Sequence, residues 1–209
     1  MDIRSYKNII FDLGGVILNI DPQKTVDAFA HQVYKNHNAE ISHLYQKIVE
    51  GTLLIEYEKG NIDDHDFRAS LCQKLDIELS TEQFDAAFNA MLLNYTKERI
   101  DLILSLSKTH NVYLLSNTCH IHYEFYNNLI RKEFGLNGLT DLFKKMFLSF
   151  EMGLRKPDVN IYRTLLEEAG IDAADSVFID DSEPNVRGAQ MAGITGIHKP
   201  ANIDLISIF

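Results

Sequence analysis

Short runs of β-branched and aromatic residues recur along the chain, and polar residues follow several of them directly. Continuous apolar runs of this kind predict strands that are buried on both faces, as in a parallel sheet. Asp12, Ser116 and Asp180 each stand immediately after such a run. The runs that predict strands are Asn8–Phe11, Val112–Leu115, Phe147–Phe150, Val177–Ile179 and Ile194–Ile197.

Helical signals fill the segments between the later strands. One predicted helix begins at Pro157 and stops at Gly170, and another begins at Ser182 and stops at Gly193. Proline favours the first turn of a helix, and glycine favours the position just past its end. The alternation of strands and helices predicts an α/β fold with a Rossmann-like three-layer core built on a parallel sheet.

A long insertion separates the first two predicted strands, and it has the pattern of several helices. Asp21 and Pro22 are typical of a helix start, and Ser80 with Gln83 matches a capping box. The insertion is too long for an ordinary crossover and therefore predicts a small helical cap over the strand ends. The predicted domains are a core of residues 1–18 and 94–209 and a cap of residues 19–93.

Composition narrows the class of protein. With 209 residues, 45% of them hydrophobic and 24% charged, the chain can bury the core of one globular domain with a modest insertion. A net charge of -10 argues against a nucleic-acid partner, because such affinity comes mainly from neutralised phosphates. Cys72 and Cys119 have no disulfide or metal-ligand spacing, and the first residues, MDIRSYKN, do not resemble a signal peptide. We therefore predict a cytoplasmic protein without a membrane partner; no feature indicates an oligomeric state.

The polar residues at the predicted strand ends have the chemistry of phosphoryl transfer. Because the carboxyl ends of parallel strands meet at one sheet edge, Asp12, Ser116 and the pair Asp180 and Asp181 are expected to lie together. A carboxylate such as Asp12 can attack phosphorus and form an aspartyl-phosphate. Carboxylate and phosphate repel each other, so such a site needs a hard cation such as Mg²⁺, for which the three aspartates supply oxygen ligands.

Positive charge and hydrogen-bond donors complete the predicted site. Ser116 and nearby backbone N–H groups can hold phosphoryl oxygens, and Lys156 can offset charge on both nucleophile and phosphate. We predict that Asp12, Ser116 and Lys156 are catalytic and that Ser116, Asn117 and Lys156 bind the substrate. Each residue alone has an ordinary explanation as a turn former, a helix cap or a surface lysine. The prediction of a catalytic site therefore depends on the presence of all these residues together, in this order along the chain.

Four motifs carry a resemblance to a known family: IIFDLGGVIL around Asp12, VYLLSNT around Ser116, GLRKPD around Lys156, and VFIDDS around the acidic pair. In this order they resemble the haloacid dehalogenase superfamily of hydrolases, mostly phosphatases, with a C1-type helical cap. FDLGGVI, GLRKPDVNIY and VFIDDSEPNV look most like the subgroup that contains bacterial α-D-glucose-1-phosphate phosphatase. The resemblance adds the backbone carbonyl of Gly14 to the predicted Mg²⁺ ligands Asp12, Asp180 and Asp181.

The sequence thus predicts a Mg²⁺-dependent phosphatase that acts on a small phosphorylated metabolite, such as a sugar phosphate, through an aspartyl-phosphate. One position departs from the family pattern. Phosphatases of this superfamily usually carry a second Asp two residues after the nucleophile as general acid and base, and Gly14 stands there. Asp21 could supply the acid, although its place before Pro22 favours a helix cap. Otherwise the substrate has a good leaving group, or the chain is a weak phosphatase that mainly binds a phosphorylated ligand.

A 2-haloacid dehalogenase is the alternative enzyme, because its aspartate attacks carbon and needs neither a metal nor the second Asp. The adjacent Asp180 and Asp181 argue against it, since without a cation they would repel a haloacid carboxylate. His120, His122 and the run Asp63–Asp66 also contain metal-ligand residue types. They lack a positioned third ligand, so they are interpreted as loop or helix-start residues.

Overall fold

The computed structural model describes residues 2–33, 48 and 51–209 of the chain. Residues 34–47, 49 and 50 of the predicted cap lie outside the described residues. The strands are β1 (Asn8–Phe11), β2 (Leu18–Ile20), β3 (Leu92–Tyr95), β4 (Asn111–Ser116), β5 (Lys145–Leu148), β6 (Ser176–Asp180) and β7 (Thr195–His198).

Five of these strands form a parallel sheet in the order β5-β4-β1-β6-β7. The central strand β1 pairs with β4 on one side and β6 on the other, with Phe11 opposite both Leu114 and Ile179. Because all three strands run in the same direction, their carboxyl ends meet at one edge. Asp12, the residue that follows β1, therefore stands between the ends of β4 and β6.

The parallel sheet is buried on both faces. Ile9 and Phe11 belong to an apolar cluster that includes the helical residue Ile103. Ile10, which points to the other face, packs in a second cluster with Leu165. This double burial explains why the strands have continuous apolar runs rather than alternation. The prediction of a three-layer parallel α/β core is confirmed.

The helices account for most of the remaining described chain, and none of them has the length and apolar character needed to cross a bilayer. They are Pro22–Val33, Thr52–Glu58, Asp64–Leu75, Thr81–Phe88, Lys97–Leu106, His120–Phe134, Ser149–Met152, Val159–Ala169 and Glu183–Met191. The first four lie in the insertion between β1 and β4.

The helices of the insertion pack around an apolar cluster to which two residues at the N-terminus of the sheet-side helix His120–Phe134 also contribute. Phe67 lies at its centre, stacked on Tyr57 with ring centroids 4.0 Å apart and in edge contact with Phe84. Phe29 and Phe88 belong to the same cluster, which is separate from the two clusters of the sheet. The Ser80 capping box is formed as predicted. The insertion therefore buries its own side chains while remaining attached to the sheet edge.

Two elements differ from the sequence-based expectation. The insertion does not begin and end in helix, because β2 and β3 form an antiparallel ribbon in which Ile20 pairs with Leu92. Strands this short contain too few residues for the two-residue alternation to be visible. The strand predicted at Phe147–Phe150 is β5, which ends at Leu148 opposite Ser116, and a helical turn begins at Ser149.

Candidate active site

Lys156 lies beneath the carboxyl edge of the sheet and joins the ends of three strands. Its Nζ donates to Asp12 Oδ1 at 2.7 Å, to Asp180 Oδ2 at 2.7 Å and to the carbonyl oxygen of Leu115 at 2.9 Å. Asp12 directly follows β1, Asp180 is the last residue of β6, and Leu115 is the residue before the last of β4. Only 1% of the Lys156 surface is exposed, so the ammonium is held by protein groups in place of water. The sheet edge predicted from the sequence is thus assembled around one buried charge, the ammonium of Lys156.

Asn117 fixes the backbone of Lys156 from the end of β4. The Lys156 N–H donates to Asn117 Oδ1 at 2.9 Å, and Asn117 Nδ2 donates to the carbonyl oxygen of Lys156 at 3.0 Å. Both polar atoms of the Asn117 side chain are used in this pair. The lysine loop is therefore tied to the strand edge at its main chain as well as at its ammonium.

The charges of the site depend on one another. Burial by itself would lower the pKa of Lys156, but the carboxylates of Asp12 and Asp180 outweigh burial and raise that pKa above its ordinary value. Burial raises the pKa of Asp12 to about 7, with Asp180 adding to the rise and Lys156 opposing it. Burial and the neighbouring Asp180 also raise the pKa of Asp181. Lys156 therefore stays charged, whereas the positive charge near the three aspartates is too small to balance their negative charge.

Asp12, Asp180 and Asp181 each place one carboxylate oxygen within 4.8 Å of the others. When ionised, these three groups and the Lys156 ammonium leave a formal charge of -2 at the edge of the sheet. An all-oxygen donor set with excess negative charge fits a hard divalent cation such as Mg²⁺. The residues present therefore fit the metal that the sequence predicts.

The turn after β1 brings the backbone against this carboxylate cluster. Gly15 has φ +71°, and a Cβ at this position would lie 2.2 Å from Asp181 Oδ2. The turn is also held from below, because Lys199 Nζ donates to the Gly15 carbonyl oxygen at 2.8 Å. Only glycine satisfies both the backbone angle and the close approach. The carbonyl of Gly14, in the same turn, remains a predicted metal ligand.

Asp180 is held by the start of the helix that follows it. The Ser182 N–H donates to Asp180 Oδ1 at 2.7 Å, and Asn185 Nδ2 lies 3.1 Å from both carboxylate oxygens. Asn185 and Lys199 were missed in the sequence analysis. Lys199 directly follows β7, but the predicted strand ends at Ile197, so the strand-end criterion that selected Asp12 would have pointed to His198 instead.

Asp21 behaves as a helix cap. Its Oδ1 accepts the Gln23 N–H at 3.1 Å, and its carbonyl oxygen accepts the Lys24 N–H at 3.1 Å. These bonds satisfy the first turn of the helix Pro22–Val33.

The exposed residues Asp63, His65 and Asp66 also lie within metal-ligand distance of one another. Asp63 caps the helix Asp64–Leu75 by accepting the Asp66 N–H at 2.8 Å, which agrees with the interpretation as a helix start.

A cavity of about 170 Å³ lies between the strand ends and the helical insertion. Gly14, Ser116 and Thr118 line it from the sheet edge, and Leu54 and Phe88 line it from the insertion. Ser116 is buried at the end of β4, where the sequence analysis placed it. The cavity therefore begins at the predicted phosphate site and continues beneath the insertion.

His122, in the first turn of the helix His120–Phe134, also lines this cavity. Its ring stacks on Phe88 with centroids 4.2 Å apart, and its Nδ1 lies 2.9 Å from Asn89 Oδ1. Burial lowers the pKa of His122 to about 3. The imidazole is therefore neutral at physiological pH.

We expect His122 to make stability decrease in acid. In the unfolded chain a histidine has a pKa near 6.5, so below about pH 6.5 the unfolded state binds a proton that the folded state excludes. The free energy of unfolding should therefore decrease by up to about 1.4 kcal/mol per pH unit as the pH falls from about 6.5 towards the folded pKa. Urea unfolding near pH 7.5 and near pH 5 measures this change. The change should be about 2 kcal/mol smaller in His122→Phe; an equal change in both proteins would contradict the assignment.

Comparison with known proteins agrees with this geometry. The family model described as "haloacid dehalogenase-like hydrolase" matches residues 6–193. D-ribitol-5-phosphate phosphatase of Bacteroides thetaiotaomicron is 30% identical over 182 residues, which cover 86% of this chain and 85% of that protein.

Solved structures show the same fold. A HAD family enzyme of B. thetaiotaomicron is 33% identical, with a TM-score of 0.88 over 98% of both chains. The same enzyme has been solved in complex with magnesium and inorganic phosphate, with a TM-score of 0.85 over 98% of this chain and 99% of that chain. The L-2-haloacid dehalogenase of Xanthobacter autotrophicus, at 19% identity and a TM-score of 0.59, covers 92% of this chain and 77% of that chain and shares the fold alone. The likeness to the glucose-1-phosphate phosphatase subgroup remains a prediction. The chain belongs to the haloacid dehalogenase-like hydrolase family.

Proposed function

We propose that this chain is a Mg²⁺-dependent phosphatase that hydrolyses the monoester of a small phosphorylated metabolite through an aspartyl-phosphate on Asp12. The observation that carries the proposal is the cluster of three carboxylates around one buried ammonium at the carboxyl edge of the sheet. The names of the relatives support it, since one is a phosphatase of ribitol 5-phosphate and another binds magnesium with inorganic phosphate.

The cation site consists of Asp12, Asp180, Asp181 and the carbonyl of Gly14. When bound there, Mg²⁺ neutralises the excess negative charge and lets a phosphate dianion approach a carboxylate. Asn185 and the Ser182 N–H hold Asp180 in place. These contacts fix the Asp180 side chain before any cation binds.

Asp12 is the nucleophile. One of its carboxylate oxygens forms a bond to phosphorus as the bond from phosphorus to the leaving alcohol oxygen breaks. Water then attacks the phosphorus of the aspartyl-phosphate, which releases inorganic phosphate and regenerates the carboxylate. The contact between Asp12 Oδ1 and Lys156 keeps the side chain in one orientation throughout.

Lys156 contributes charge. An ammonium has three donors, and all three are already used by Asp12, Asp180 and the Leu115 carbonyl. We therefore assign to Lys156 the electrostatic stabilisation of the phosphoryl group, and to Ser116 the direct hydrogen bond to it. The side chain of Asn117 is engaged with the Lys156 backbone, so its share in substrate binding is to position that lysine.

The helical insertion is proposed to act as the cap, with residues 19–93 as the cap and residues 1–18 and 94–209 as the core. The cavity beneath it, about 170 Å³, is smaller than the roughly 300–1,000 Å³ typical of drug-sized sites. It suits a small leaving group such as a sugar or polyol.

Cys72 and Cys119 are both free thiols, which fits the predicted cytoplasmic location.

A 2-haloacid dehalogenase is not favoured by this site. Such a reaction has no use for Asp181 beside Asp180, and the buried charge of -2 would repel the substrate carboxylate. The arrangement instead requires a cation, which a phosphatase would use at each turnover.

Replacing Asp12 should abolish turnover without loss of the fold. We expect Mg²⁺-dependent phosphate release from p-nitrophenyl phosphate to decrease by at least about 10⁴-fold in Asp12→Asn, because the nucleophile is lost. Removing the cation with EDTA should have a similar effect on the unaltered chain. Asp21→Asn is the matched control, since asparagine caps a helix as well as aspartate does. Halide release from a haloacid in EDTA would refute the assignment.

Restoring an acid at residue 14 should accelerate the hydrolysis of esters with poor leaving groups. A Cβ on Gly14 would meet the Ile20 side chain, with Cδ1 at 3.3 Å and Cγ2 at 3.6 Å, so an aspartate can enter with a small adjustment of that side chain. We expect Gly14→Asp to increase kcat for alkyl phosphates by at least about tenfold, with the roughly 10²–10⁴-fold typical of general acid catalysis as the upper range, and to affect p-nitrophenyl phosphate little. Gly14→Asn is the isosteric control. Equal effects of Asp and Asn would show that another group already supplies the proton.

A further inference from the structure

His122 has one ring nitrogen engaged and one free to interact with a ligand. Nδ1 lies 2.9 Å from Asn89 Oδ1. Because an amide oxygen only accepts, Nδ1 carries the proton and Nε2 of the neutral ring is an acceptor. No described residue forms a hydrogen bond with Nε2, and this nitrogen is not among the fully enclosed unpaired atoms of the described chain.

The position of the ring is set from both sides of the cavity. His122 belongs to the sheet-side helix His120–Phe134, whereas Phe88 and Asn89 belong to the insertion. The stacked ring of Phe88 fixes the plane of the imidazole, and the hydrogen bond to Asn89 fixes the orientation of the ring within that plane. A side chain with one exposed acceptor is thus held rigidly by two contacts, and 8% of its surface remains accessible.

Two other polar side chains that line the same cavity, those of Thr25 and Glu58, are already paired. Thr25 Oγ1 donates to the Phe88 carbonyl at 2.8 Å and accepts the Met91 N–H at 3.1 Å. Glu58 accepts a hydrogen bond from the Arg155 guanidinium. These groups therefore have less capacity left for a ligand than the Nε2 atom has.

The protonation state of His122 determines what it can bind. Burial keeps the ring neutral over the working range of pH, so His122 cannot replace the acid missing at Gly14. A neutral Nε2 acceptor pairs with a hydroxyl donor, and it neither attracts nor repels a charged group strongly.

We propose that His122 Nε2 accepts a hydrogen bond from a hydroxyl group of the leaving alcohol, so that the cavity selects polyol or sugar phosphates over alkyl phosphates of equal length. Asn89 is the positioning residue that holds the proton on Nδ1. The inference rests on the proposed phosphatase function and specifies its substrate class and the residue that selects it.

The test compares D-ribitol 5-phosphate with n-pentyl phosphate, which has the same number of carbon atoms but no free hydroxyl groups. In His122→Phe, which retains a ring against Phe88, kcat/KM for ribitol 5-phosphate should decrease about fivefold, as expected for one lost hydrogen bond. The value for n-pentyl phosphate should change less than about twofold. Asn89→Leu, which removes the acceptor for Nδ1, should reduce the preference in the same direction.

A spectroscopic readout separates recognition from folding. In ¹⁵N-edited spectra of Asp12→Asn with Mg²⁺, Nδ1 of His122 should be protonated and Nε2 unprotonated. The Nε2 resonance should shift when ribitol 5-phosphate is added and stay in place when n-pentyl phosphate or inorganic phosphate is added. A protonated Nε2, or an unchanged ratio of kcat/KM values in a folded His122→Phe, would overturn the proposal. If the unaltered chain hydrolyses none of these esters or p-nitrophenyl phosphate, the phosphatase function itself fails.

Discussion

The ammonium of Lys156 is the group on which the rest of the site depends. A buried charge is tolerated only when it is paired and hydrogen-bonded, and Lys156 meets this condition with acceptors from the ends of β1, β4 and β6. Losing one partner of a buried ion pair typically destabilises a protein by about 3–5 kcal/mol. The same contact that joins the strand ends also orients Asp12, the proposed nucleophile, so the stability of this edge and its proposed chemistry share one interaction.

The balance of charge at this edge explains why the site needs a cation. Lys156 compensates one of the three carboxylates, and burial together with the neighbouring Asp180 raises the pKa of Asp12 and of Asp181. The fold holds these groups in place with contacts from outside the cluster, including Asn185 on Asp180 and Lys199 on the glycine turn. A divalent cation with oxygen preference removes the excess charge and makes the approach of an anionic substrate favourable.

Sequence predicts those parts of the site that follow strands. β1 spans Asn8–Phe11 as predicted, and the rule that parallel strands share a carboxyl edge placed Asp12, Ser116 and Asp180 together. Lys156 follows no strand directly, so it was predicted from its positive charge and from the family resemblance rather than from its place at a strand end. The proposed role of His122 was not predictable, because it depends on a contact with Asn89, 33 positions earlier in the chain, that forms only once the insertion packs over the sheet edge. The short ribbon of β2 and β3 was missed for want of a periodic signal.

The most direct test of Asp12 as the phosphorylated group uses beryllofluoride, which binds a carboxylate in the manner of a phosphoryl group. With Mg²⁺ present, ¹⁹F spectra of the unaltered chain should show a protein-bound beryllofluoride signal that disappears on addition of EDTA. Asp12→Asn, folded to the same extent by circular dichroism, should show no such signal. A bound signal that persists in Asp12→Asn, or its absence from the unaltered chain with Mg²⁺, would contradict phosphoryl transfer through Asp12.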